Sequence, residues 1–157
     1  MMRVILIGCG KTKLAGEHEA RDLYTGSLFR AARRYAEGAS KYWWIVSAKH
    51  GALCPFTRIT SYEMRLPGRR DLRERWGTAA ASTVYGYMAD RELALQDDLS
   101  MGFHVELLAG EEYCVPIVDH FNRLKVQCAR PLRGMQVGER LAWFKQQREG
   151  TSKEQNK

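Results

Sequence analysis

The sequence predicts a three-layer α/β/α sandwich around a central, mainly parallel sheet of about four strands. Two observations carry that prediction. Short, continuous apolar runs rich in β-branched residues alternate with longer stretches of helical period, the pattern of strands buried on both faces. With 45% hydrophobic residues in 157 positions, the chain can also bury a core of one ordinary domain.

Residues 3–7 (RVILI) are a buried parallel strand leading into Gly8-Cys9-Gly10. The next segment, 11–24, is polar and irregular. Ser27 suits an N-cap, and after it Leu28, Ala31, Ala32, Tyr35 and Ala39 mark one helix face, with arginines opposite. Residues 42–46 (YWWIV) form the second strand and break into Ser47-Ala48-Lys49-His50-Gly51; a right-handed parallel crossover is expected for this unit. Residues 54–67 show no clean period and read as a long loop over the strand ends. Leu72, Trp76, Ala79 or Ala80, Thr83 and Tyr87 then recur at helical spacing through Glu92, where Gly77 and Gly86 predict a kink or a break into two helices.

Residues 103–108 are the third strand, ending at Ala109-Gly110. The helix that follows carries Glu111 and Glu112 in its first turn, where acidic groups are favourable, and Val115, Val118 and Phe121 on one side. Pro116 is expected in that first turn, since a helix interior tolerates it badly. Residues 125–128 make a short fourth strand and 130–135 a loop. A last helix spans 137–148 with Val137, Leu141 and Phe144 inward. Residues 1–148 thus read as a single domain and 149–157 as a flexible polar tail.

In this topology the strand exits gather on one rim, where open α/β sheets bind ligands. The formal net charge of +7, with arginines grouped at Arg30, Arg33 and Arg34 and again at Arg65, Arg69, Arg70, Arg73 and Arg75, points to a polyanionic partner. No apolar run is long enough to span a bilayer and no leader pattern opens the chain, which predicts a cytoplasmic protein away from membranes. Cys9, Cys54, Cys114 and Cys128 form no CxxC pair, so neither a disulfide framework nor a zinc site is expected.

Gly10-Lys11-Thr12 imitates the end of a phosphate-binding P-loop, but the glycine that motif needs five residues earlier is Ile5, inside the strand. The zinc deaminase and dinucleotide signatures are also absent. What remains is a glycine-lined turn whose N–H groups can cradle a phosphate or carboxylate, with Lys11 and Lys13 adding charge. Cys9 is either a nucleophile activated by Lys11 or a helix N-terminus, or a small residue filling a tight turn. Asp22 can orient a water or a lysine and Tyr24 can stack a base, the alternative for both being capping and core packing. His18, His104 and His120 read as structural.

Three blocks carry a family likeness: Gly8-Cys9-Gly10-Lys11-Thr12-Lys13 with residues 22–30 (DLYTGSLFR); residues 46–53 (VSAKHGAL); and residues 130–135 (RPLRGM) running into Gly138. On these the chain resembles a family of small bacterial and phage proteins, DUF6884. The first block is also similar to the core of archaeosine synthase, with Gly10 in place of a serine. The resemblance implies a fold like that of the uracil-DNA glycosylase superfamily and a task on nucleobases in nucleic acid.

An enzyme cleaving the N-glycosidic bond of a modified base is therefore expected, on DNA before RNA, as a hydrolase needing no cofactor and no metal. Such a reaction extrudes the base and stabilises the charge that develops on it. His50 would hydrogen-bond the departing base, Lys49 meet the adjacent phosphate, Asp22 position water and Tyr24 stack. Lys11, Lys13 and the arginines would hold the backbone, with Gly8, Gly10, Ser27, Arg30, Ser47, Gly110 and Arg130 completing the substrate-binding set. The carboxylate at the centre is one of Asp22, Glu63, Glu111 and Glu112. The alternatives are a transferase elaborating a deazapurine-type base through Cys9 and a non-catalytic DNA-binding protein.

Overall fold

The computed structural model describes residues 1–95 and 102–154. In chain order the elements are β1 (Met2–Gly8), β2 (Glu17–Glu19), α1 (Ala20–Leu23), α2 (Ser27–Ala39), β3 (Tyr42–Ser47), β4 (Gly51–Leu53), β5 (Arg58–Thr60), α3 (Arg70–Leu95), β6 (Phe103–Leu108), α4 (Glu111–Arg123), β7 (Gln127–Ala129) and α5 (Val137–Glu154). A five-stranded sheet runs in the order β4-β3-β1-β6-β7, parallel except for β4, which pairs antiparallel to β3. The α/β architecture with a mainly parallel sheet is as expected from sequence. The extra strand arises because residues 51–53 fold back on β3.

Period-two alternation divides the central strands between two cores. Ile5, Ile7, Trp43 and Ile45 pack with Leu23 of α1, Phe29, Ala32 and Ala36 of α2, and Phe144 of α5. Val4, Leu6, Trp44 and Val46 pack on the opposite face with Ala80, Ala81, Val84 and Met88 of α3 and with Ile117 and Phe121 of α4. Inside the sheet, the buried Glu106 carboxylate takes a 2.7 Å ion pair from Arg3 and a 2.8 Å hydrogen bond from the Tyr35 hydroxyl. Burial and the adjacent Glu106 together push the Tyr35 phenol up to about 12.

Several local expectations are corrected. The polar stretch 11–24 contains β2 and α1, and β2 pairs antiparallel with β5 from the supposed loop 54–67. The long helix is one element, and its buried stripe is Gly77, Ala80, Ala81, Val84 and Met88; Leu72, Thr83 and Tyr87 are exposed. Small residues line that stripe because α4 approaches closely: a Cβ at Gly77 would lie 2.5 Å from the carbonyl carbon of Pro116. Pro116 itself sits beyond the first turn of α4, its ring and carbonyl against Gly77. Gly26, not Ser27, caps α2, placing Ser27 at the first helical position. Val137 is exposed. The predicted tail is helical through Glu154, and 155–157 lie outside the described residues.

Candidate functional site at the carboxyl rim of the sheet

The rim is organised by a tight hairpin. β3 ends at Ser47, residues 48–50 turn, and Gly51 restarts the chain opposite Ser47 with a φ of 67°, a left-handed conformation that glycine adopts without strain. Ser47 is fully buried and its Oγ accepts hydrogen bonds from the backbone N–H groups of Lys49 (3.3 Å) and His50 (3.1 Å). A serine hydroxyl that holds the amides two and three residues on in this way fixes a turn. Lys49 and His50 are therefore carried at the tip with exposed side chains.

Behind the tip stands Tyr62. Its hydroxyl is 2.6 Å from Ser47 Oγ and 2.6 Å from the Tyr24 hydroxyl, making a buried chain of three O–H groups. Burial raises the phenol pKa of both tyrosines. Against the Tyr62 ring lie Lys13 Nζ at 4.7 Å, Lys49 Nζ at 5.6 Å and the His50 ring at 5.3 Å, edge-on. Both ammonium groups are within cation–π range of one ring, and neither forms an ion pair among the described residues. Burial, and secondarily the Lys49 charge, lower the pKa of His50, which favours the neutral imidazole at pH 7. Neither of its ring nitrogens is hydrogen-bonded to a described residue.

The continuation of β1 leads to α2 on one face and that of the adjacent β6 to α4 on the other, so the two exits diverge, the place where open α/β sheets bind ligands. Gly8 fits closely there: a Cβ would meet Ala109 Cβ at 3.2 Å, a tight contact. The half-buried Cys9 donates to the Tyr113 hydroxyl at 3.6 Å, linking the two exits, and its N–H bonds Val46 O. Burial and the neighbouring Cys9 hold the Tyr113 phenol protonated well above its usual range. The Trp76 indole packs edge-on against Tyr113 and donates to Ser47 O at 3.0 Å, tying α3 to the hairpin. Among the described residues no group of three His, Cys, Asp or Glu side chains could hold a metal ion.

Of the residues singled out from sequence, Cys9, Lys13, Ser47, Lys49, His50 and Tyr24 come together here. Tyr24 is 2% exposed, however, with its ring 4.9 Å from Phe29, so it supports the floor and cannot stack an incoming base. Asp22 is not brought in: its carboxylate pairs with Arg33 at 2.7 Å on the outer side of α1 and α2. Lys11 is exposed beside the Gly10 turn, its carbonyl accepting from Lys13 Nζ at 3.2 Å. Gly110 caps α4 farther along the rim, and the ion pair between Arg130 and Glu111 occupies that end. Ser27 and Arg30 lie exposed on the first turn of α2. In the second arginine cluster Arg69 pairs with Asp71 and Arg70 with Glu74, while Arg73 bonds Pro67 O. Tyr62, Tyr113 and Trp76 carry no local signal of this role: Tyr62 lies in a stretch without period, and Trp76 falls on a helical repeat.

Fold and rim together define a doubly wound α/β domain whose carboxyl rim carries a cationic, tyrosine-backed hairpin. The chain belongs to a family of unknown function (DUF6884), whose model matches residues 4–146. It is similar to the uncharacterized protein YfjM of Bacillus subtilis (strain 168), 41% identical over an alignment of 61 residues that covers 35% of this chain and 41% of that protein. No solved structure matches the chain at a significant level. Among the described residues no helix is long and apolar enough to cross a membrane.

Proposed function

We propose that the rim extrudes and processes a modified base in nucleic acid, DNA before RNA, by hydrolysing its N-glycosidic bond, on a frame of the uracil-DNA glycosylase kind that it shares with archaeosine synthase. The observation that carries this reading is the convergence of Lys13, Lys49 and a neutral His50 on Tyr62. Two ammonium groups without carboxylate partners suit phosphates flanking a flipped nucleotide. A neutral imidazole with free ring nitrogens suits the polar edge of the base.

In the reaction the C1′–N bond breaks and its electron pair leaves with the base. Water adds its oxygen to C1′ and its proton leaves for the base nitrogen or solvent. His50 stabilises the departing base through a hydrogen bond, and the paired lysines hold the backbone so that the sugar carries the developing positive charge in place. Asp22 is committed to Arg33, and Glu111 to Arg130. Glu63 and Glu112, next in sequence to Tyr62 and Tyr113 and without an ion pair among the described residues, are the carboxylates left for the water-positioning role. The competing reading, transfer through Cys9, gains less support, because the thiol donates to a phenol that stays protonated and so has no base beside it.

Incubation with a panel of DNAs carrying modified bases, followed by detection of abasic sites, tests the proposal. His50→Ala should abolish release and Cys9→Ala should retain it. Loss of activity in Cys9→Ala with activity kept in His50→Ala would favour transfer. Binding with no chemistry over the whole panel would favour a DNA-binding protein.

A further inference from the structure

A second concavity lies away from the rim. A groove of about 700 Å³ opens between α2 and α5, with Arg3 at the beginning of β1 in its wall. No Asp or Glu is among its lining residues, while Arg34 of α2 and Lys145 of α5 face into it from two packed helices. Neither forms an ion pair among the described residues, and both are exposed. Arg3 differs, because Glu106 already neutralises it. Like charges brought together without a counter-charge repel one another, and an anion between them relieves that cost. The rest of the lining is mixed: Ala31, Tyr35, Leu141 and Phe144 supply an apolar, partly aromatic side, and Gln147, Arg148 and Thr151 a polar one. The volume lies in the range of small-molecule sites, about 300–1,000 Å³. A nucleic-acid backbone would meet the cations but leave the apolar wall unfilled.

We propose that this groove binds a nucleoside phosphate, with the phosphate between Arg34 and Lys145 and the base against Leu141 and Phe144. The ligand class follows from the pairing of unmatched cations with an apolar, aromatic wall in one small concavity. The site is independent of the rim chemistry, so the two proposals stand or fall separately.

Isothermal titration of the full chain with adenosine monophosphate, and separately with adenosine and with inorganic phosphate, tests it. The nucleotide should bind at least about tenfold more tightly than either fragment. The double variant Arg34→Ala/Lys145→Ala should weaken nucleotide binding by about tenfold or more while its thermal unfolding stays close to that of the parent. Lys49→Ala, at the rim, should leave it unchanged. Absence of saturable nucleotide binding, phosphate binding as tight as the nucleotide, an unaffected double variant, or loss on Lys49→Ala would each overturn the proposal.

Discussion

Two glycines in the same helix should respond with opposite sign to the same substitution. Replacing glycine by alanine inside a helix ordinarily stabilises by about 1 kcal/mol, because alanine has less backbone entropy to lose. Gly86 in α3 has no heavy atom within 4 Å of an added Cβ, so Gly86→Ala should realise about 0.5–1 kcal/mol. At Gly77 the added Cβ would lie 2.5 Å from both the carbonyl carbon and Cβ of Pro116, and 2.7 Å from its oxygen. Two of these are backbone atoms, so no rotamer change relieves the contact and α4 must retreat. Overpacking costs about 1–3 kcal/mol, and a backbone clash belongs at the upper end. Less the propensity gain, Gly77→Ala should lose about 2 kcal/mol. For a domain of this size that is roughly 4–8 °C in Tm, against a gain of about 1–4 °C for Gly86→Ala. Urea unfolding followed by circular dichroism reads both. Equal stabilisation by the two variants would refute the close α3–α4 contact.

Tyr62→Phe keeps the ring but removes the hydroxyl shared by Ser47 and Tyr24, and should cost about 1–3 kcal/mol in chemical denaturation while largely preserving ligand affinity. Tyr62→Ala should lose affinity as well, since Lys13, Lys49 and His50 no longer share a ring; equal affinity in the two variants would sink the platform role. The His50 pKa is lowered in the folded chain, so its neutral form, and the stability linked to it, persist at neutral pH and fade as pH falls through that lowered value. Lys49→Ala should move the His50 NMR titration upward but only part of the way, because burial is the larger cause; a downward shift would contradict the assignment. Arg3→Met should cost about 2 kcal/mol by leaving the Glu106 carboxylate buried with only Tyr35 as partner, and Arg3→Met/Glu106→Leu should recover most of it in urea titrations.

The central strands were legible because a strand buried on both faces has no alternative to a continuous apolar run, as residues 4–7 and 43–46 show. The edges were not. β4 and β5 are three residues each, too short for a period to show, and β5 takes its order from a partner far away in sequence, β2 at residues 17–19. Gly77 read as a helix breaker because its local signal is the same whether a glycine bends a helix or admits a neighbour, and Pro116 held the other half of that information. At the site, Ser47, Lys49 and His50 were visible because an abrupt change from apolar to ionisable residues marks a strand exit. Asp22 was misplaced because a carboxylate next to an aromatic looks the same whether it faces a pocket or a nearby arginine. Tyr62 had no local signature: its importance lies in what converges on it.

Whether the rim breaks a glycosidic bond is decided most directly by the intact mass of an oligonucleotide carrying a modified base after incubation with the protein. Hydrolysis predicts a strand that has lost the base and gained the elements of water, in wild-type chain but not in His50→Ala. A strand of altered mass that keeps its base, or one unchanged for every substrate it binds, would contradict it.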